Sequence, residues 1–230
     1  MAKNKKQEET QGDYLENPEA LAEQISRTEE FVEKNKVLVF GVIIGVVLIV
    51  GGFFGYNYYK NQQEQIAQSE MFQAIYYFEA DSLDKALQGD GSNPGFITIA
   101  KEYNITDAGN LANYYAGLAY LKQGKYKPAI LYLEDFSADD LLVQARAYSL
   151  IGDAHMELAQ YDQAAEYYQK AAGYKPNEYF TPTYLMKAAL AYEKANKPEQ
   201  AKEAYQKIIE EYWQSNEYQK AKKMKARMGE

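Results

Sequence analysis

From Val37 to Tyr59 the chain carries no charged residue, and that stretch limits what it can fold into. Its core reads VLVFGVIIGVVLIVGGFF and ends in a tyrosine collar at Tyr56, Tyr58 and Tyr59. At ~1.5 Å per residue, a helix of about 20 residues crosses a hydrocarbon layer ~30 Å thick. Fourteen Val, Leu, Ile or Phe residues lie between Val37 and Phe54. They contribute roughly −4 to −8 kcal/mol toward insertion, before the cost of the glycines. No other helical segment is apolar all round, which argues against a buried core helix. A cleaved signal peptide has a shorter apolar region ending at a small-x-small site. Here the run begins after 36 residues and is followed by bulky aromatics. The sequence therefore predicts a retained transmembrane helix over residues 37–59, in contact with the lipid bilayer.

Its direction follows from the flanking cations. Arg27, Lys34 and Lys36 lie close on the N-terminal side, with Lys3, Lys5 and Lys6 further out, whereas Lys60 stands alone until Lys85. The positive-inside rule places the N-terminus in the cytoplasm and the large C-terminal domain across the membrane. Within the span, Gly41, Gly45, Gly52 and Gly55 fall on one stripe roughly 80° wide. Small residues let a second helix approach closely in lipid, so this stripe is a candidate helix-docking face.

Residues 1–16 are polar without an apolar period and are expected to form a disordered cytosolic tail. Asn17-Pro18-Glu19 reads as a helix start, and Leu21, Ile25, Thr28 and Val32 continue at helical spacing, giving a juxtamembrane helix over 17–36. The net charge is −8, which excludes the basic footprint of sequence-independent nucleic-acid binding. Cysteine is absent, so disulfide, thiol and cysteine-ligated zinc chemistry are excluded.

Beyond residue 110 the chain repeats itself. NYYAGLAYLKQGKYKPAILYL, YSLIGDAHMELAQYDQAAEYYQKAAGYKP and YLMKAALAYEKANKPEQAKEAYQKIIEEY align on Ala129, Ala164 and Ala201, which are 35 and 37 residues apart. Each has a small residue (Gly117, Gly152, Ala189) in its first helix, and the last two share a tyrosine (Tyr168, Tyr205) in the second. This is the tetratricopeptide pattern, a helix-turn-helix unit of about 34 residues whose small positions allow two helices to cross closely. The repeats are expected over 110–215. Residues 60–109 read as a degenerate helical leading repeat: helical spacing at Met71, Ile75 and Phe78, short helices over 83–87 and 96–103, and a GDGSNP loop between them. Residues 216–230 read as a C-terminal capping helix. The fold class is all-α, a transmembrane helix followed by a helical solenoid.

Catalytic chemistry is not indicated. His155 is the only histidine and sits at a helix-packing position, adjacent carboxylates point in different directions on a helix, and GDGSNPG lacks the lysine of a phosphate loop. The sequence therefore predicts a non-enzymatic protein without cofactor, metal or small-molecule substrate, whose partners are other proteins. In a tetratricopeptide array the first helix of each repeat lines a concave groove. By repeat position the inward residues are Leu111, Tyr114, Leu118 and Leu121, then Arg146, Ser149, Asp153 and Met156, then Thr183, Met186 and Leu190. That surface suits an extended chain or a helix with apolar anchors.

The order of features, an NPEALAEQIS arm, EEFVEKNK entering the span, an aromatic collar and a short repeat domain, resembles the bacterial single-span inner-membrane tetratricopeptide family typified by the ancillary subunit of the SecYEG translocon (YfgM-like). The resemblance implies a periplasmic domain that works beside SecYEG with a membrane-anchored periplasmic chaperone or secreted clients. The alternative reading is an envelope scaffold that assembles an outer-membrane or cell-wall biogenesis complex without binding clients.

Overall fold

A computed structural model describes residues 18–229, and the expected tail over 1–16, the cap at Asn17 and the terminal Glu230 lie outside them. The described residues form helices joined by turns, with one isolated bridge between Gly89 and Pro94. The chain divides between Tyr59 and Lys60 into two compact units.

The first unit holds α1 (Pro18–Lys34) and the opening part of α2 (Lys36–Glu79). Proline opens α1, where its missing N–H removes no helical bond. Asn35 forms a turn between α1 and α2, yet its N–H still bonds Phe31 O and that of Val39 bonds Asn35 O, both at 3.0 Å. The apolar stretch ends at Tyr59, but its helix does not, because α2 continues to Glu79 over 44 residues. The sequence reading had divided this stretch at residue 59. Neither Gly nor Pro occurs between Lys60 and Glu79, and the polar run NQQEQIAQ is made of good helix formers apart from its first residue.

The second unit begins inside α2. Ala67, Met71 and Ala74 point inward and pack with residues of α3 (Leu83–Gln88), α4 (Phe96–Glu102) and α5 (Asp107–Lys122). The turn after α2 puts Asp81 in the left-handed region (φ 57°), and Ser82 precedes α3 without a side-chain cap bond. Between α3 and α4, Asp90 organises the glycine-rich loop. Its carboxylate accepts from the N–H groups of Ser92 (2.9 Å) and Asn93 (2.7 Å) and from the Tyr77 hydroxyl (2.6 Å), pinning the loop to α2. These bonds hold the Asp90 carboxyl well below the usual carboxylate range.

Three helical hairpins follow: α5 with α6 (Tyr126–Asp135), α7 (Val143–Glu157) with α8 (Tyr161–Gly173), and α9 (Thr181–Lys194) with α10 (Pro198–Glu211). α11 (Tyr218–Arg227) closes the stack, burying Ala221 against α10. The small residues stand where helices cross. A Cβ on Gly117 would come within 2.5 Å of Leu133 Cγ, and one on Gly152 within 2.7 Å of the Tyr168 ring. In the third hairpin Ala189 and Tyr205 share one core cluster and are both fully buried. Ala129, Ala164 and Ala201 are likewise at 0% exposure.

Each hairpin turns through a left-handed residue at the equivalent place: Gly124 (φ 70°), Ala159 (φ 55°) and Asn196 (φ 58°). Glycine adopts this conformation freely and asparagine tolerates it, whereas alanine is strained there. His155 packs as a core-edge residue, stacked on Tyr167 with ring centroids 5.4 Å apart and bonded to Gln160.

Candidate functional site

The first helices of the hairpins, α5, α7 and α9, present the face on which the sequence placed a groove. On α5, Leu111 is exposed (37%), while Leu118 and Leu121 are half-buried against the cluster around Leu133 and Ile151. Tyr114 is not an open lining residue. It is only 8% exposed, with its ring 5.0 Å from that of Phe136 in the core between α5, α6 and α7. Met186 is also core, 5% exposed and packed among Leu185, Ala189 and Tyr205. Both sit where α5 and α9 turn toward a neighbouring helix, and repeat position alone does not separate that edge from the groove floor. Met156 and Leu190 are half-buried against the same stack.

The polar positions are largely tied into the fold. Ser149 is 4% exposed, and its hydroxyl accepts from Lys187 Nζ at 3.1 Å. Asp153 accepts from Lys187 through both oxygens, each at 2.9 Å, and from the Tyr168 hydroxyl at 2.6 Å. Lys187 also lies 5.4 Å from the centroid of the Tyr168 ring. Burial raises the Tyr168 phenol above its ordinary value, and the Asp153 charge raises it further, so the phenol stays protonated and donates. Thr183 donates to Glu217 at 2.6 Å, linking α9 to the residue before α11.

Arg146 is exposed on α7 between these groups, and its charge lowers the Tyr114 and Tyr184 phenols against the larger upward push of their burial. The face therefore offers one guanidinium among leucine and tyrosine side chains, with its other charged group, Lys187, neutralised by Asp153.

Lys187 was missed in the sequence reading because its partners lie one repeat earlier, 34 and 38 positions away. The inter-repeat loops were missed as well. Leu141, Leu142, Tyr179 and Phe180 are exposed just ahead of α7 and α9, and Trp213 is exposed in the loop before α11. Their recurrence in successive loops was a readable signal.

Gly41, Gly45, Gly51, Gly52 and Gly55 have open space where a Cβ would stand. Among the described residues there is no group of three or more His, Asp or Glu side chains placed to hold a metal ion.

Residues 145–178 match the tetratricopeptide repeat, and so do residues 111–139 and 184–215. The matched segments fall on the three hairpins. An uncharacterized protein, ycf37 of Guillardia theta, is 34% identical over 117 residues, which cover 49% of this chain and 64% of that relative. Tetratricopeptide repeats are protein-interaction modules.

Proposed function

We propose that this protein is a single-pass membrane protein whose tetratricopeptide repeats bind an extended or helical polypeptide on the face of α5, α7 and α9. One observation carries the reading: the most apolar window of α2 has none of its residues buried within the fold, while the same chain carries a well-packed repeat domain. Exposed Val, Ile, Leu and Phe side chains in that number need lipid or another helix. The site itself contributes Leu111, Leu118 and Leu121 as apolar anchors and Arg146 as a cation outside the Lys187–Asp153 pair, which suits a segment with apolar side chains and a carboxylate.

The cation bias around the span puts the N-terminus in the cytoplasm and the repeats on the far side of an inner membrane. With the resemblance in layout, this makes an accessory of the Sec translocon that meets secreted chains or periplasmic chaperones. A scaffold that joins an envelope assembly without clients is the second reading. It is favoured by the internal satisfaction of Ser149, Asp153 and Thr183, which leaves few polar groups for a peptide backbone.

Photo-crosslinkers at Leu111 and Arg146 in the full-length membrane-embedded protein separate the two. Adducts with Sec components and many secreted chains support the accessory; one stoichiometric product supports the scaffold. Absence of any protein adduct from either position contradicts both.

A further inference from the structure

The exposed apolar residues of the inter-repeat loops gather at one edge of the repeat unit. α5, α7, α9 and α11 all begin at that edge, and their opening segments are bonded in series. The side-chain amide of Asn110, in the first turn of α5, donates to Ser137 O at 2.6 Å and accepts from the Ser137 N–H at 2.9 Å. Ahead of α9, the Tyr174 hydroxyl donates to Ala138 O at 2.9 Å, and Lys175 Nζ lies 2.6 Å from the Asp139 carboxylate. Thr183 of α9 donates to Glu217, which precedes α11. At this edge stand Ile105 before α5, Leu141 and Leu142 before α7, Tyr179 and Phe180 before α9, and Trp213 before α11, all exposed. Tyr179 reaches 84% exposure and Trp213 62%. Among the described residues, the hairpin turns of the opposite edge, over 123–125, 158–160 and 195–197, expose no large apolar side chain. Apolar residues scattered singly over a surface are ordinary, whereas one or two ahead of every helix at a single edge are not.

Helix α2 enters the repeat unit at the same edge. Lys60, the first residue of that unit, pairs with Asp107 at 3.3 Å, and the Glu64 carboxylate accepts from the Ala108 N–H at 3.1 Å. The segment ends at the far edge, where Asp81 pairs with Lys122 at 2.7 Å. The apolar tips therefore share their edge with the residue that follows Tyr59 in the chain.

We propose that this edge seats in the headgroup layer of the bilayer that residues 37–59 cross, with Tyr179, Phe180 and Trp213 as its anchors.

The inference rests on the membrane reading above, because a span that ends at Tyr59 brings this edge to the lipid surface by chain connectivity alone. A soluble protein partner has no such reason to meet this edge over the other. The side chains suit the place. Tryptophan and tyrosine gather at membrane interfaces, where the ring meets acyl chain and its polar atom meets water. Leucine and phenylalanine at the loop tips add apolar surface that enters the headgroup boundary by ~5–10 Å.

The charges are arranged to permit it. The chain has a net charge of −8, yet most acids of this edge are engaged. Asp107 is paired with Lys60 and Asp139 with Lys175, while Asp140 accepts from the N–H groups of Leu142 and Val143, and Glu217 from Thr183. Glu178 is left without an ion pair among the described residues, and so are Lys220 and Lys223. Those two lysines are exposed one turn apart near the start of α11, beside the Trp213 loop, and suit lipid phosphates.

Trp213 is the only tryptophan of the chain, so the full-length protein reports on this edge without labelling. The protein is reconstituted into vesicles of phosphatidylcholine and phosphatidylglycerol and recovered by flotation. When the phosphatidylcholine is brominated near the headgroup end of its acyl chains, Trp213 is expected to lose about half of its emission. In a W213F background, Y179W should be quenched alike, and K125W, at the opposite edge, should keep its emission. Floating protein whose Trp213 emission is unchanged by brominated lipid overturns the proposal and leaves the anchor standing. Quenching of K125W equal to that of Y179W overturns it as well. Protein that does not float with the vesicles overturns the anchoring reading and this inference with it.

Discussion

The ammonium of Lys187 in the third repeat lies 2.9 Å from each carboxylate oxygen of Asp153 in the second, so one side chain ties two repeats together. Both groups remain about one-third exposed, which limits what the pair contributes. K187A is expected to lower stability by about 1 kcal/mol. A double-mutant cycle with D153N should show a coupling of ~0.5–1 kcal/mol, read from denaturant midpoints. Additive effects would mean that the joint is held by apolar packing alone.

The left-handed turn at Ala159 supplies a stabilising substitution. A159G removes the strain of an alanine at φ 55° but adds unfolded-chain entropy, so the expected gain is modest, roughly 0.5–1 kcal/mol. G124A makes the opposite change at the equivalent turn of the first repeat and should cost about 1 kcal/mol. Thermal or urea unfolding of both variants reads the two signs.

Helix crossings give a second contrast. G152A forces a methyl group to within 2.7 Å of the Tyr168 ring, and overpacking of this kind costs about 1–3 kcal/mol. G173A, at the open end of α8, meets nothing within 4 Å and should be neutral or stabilising by up to ~1 kcal/mol. Equal effects in denaturant titrations would contradict the close crossing.

Alkaline pH should unfold the repeats. Burial raises the phenols of Tyr168, Tyr167 and Tyr205, and the neighbouring Asp153, Glu134 and Glu193 raise them further. A phenol whose folded pKa exceeds its unfolded value keeps its proton longer in the native state, so stability is full below the ordinary value of 10.0 and falls as pH rises beyond it. Phenolate absorbance of these residues is expected to appear together with loss of helical circular dichroism. Early titration of every tyrosine without unfolding would contradict their burial.

Much of this was legible in the sequence, for reasons that can be named. Gly117, Gly152 and Ala189, with Ala129, Ala164 and Ala201, mark helix crossings that only small side chains fit, so the repeat positions are readable from residue types alone. The apolar stretch was equally plain, but its helix was set to end at Tyr59 because the composition changes there. Helix continuation depends on propensity, and the glutamine-rich segment after Lys60 continues it. Of the residues read as a groove, Leu111 and Arg146 are open, whereas Tyr114 and Met186 are taken into the core by neighbouring helices. Ala159 gave no local sign of its left-handed turn, although its alignment with Gly124 and Asn196 marks it. The cross-repeat partnership of Lys187 with Asp153 and Ser149 needed the stacking of α7 on α9.

If residues 37–59 hold the repeat domain in a bilayer, the protein resists extraction of membranes at alkaline pH in carbonate. The full-length protein is expected to stay with the membrane pellet, and a variant lacking residues 37–59, helical by circular dichroism at neutral pH, to be released. Release of the full-length protein into the supernatant would contradict the account.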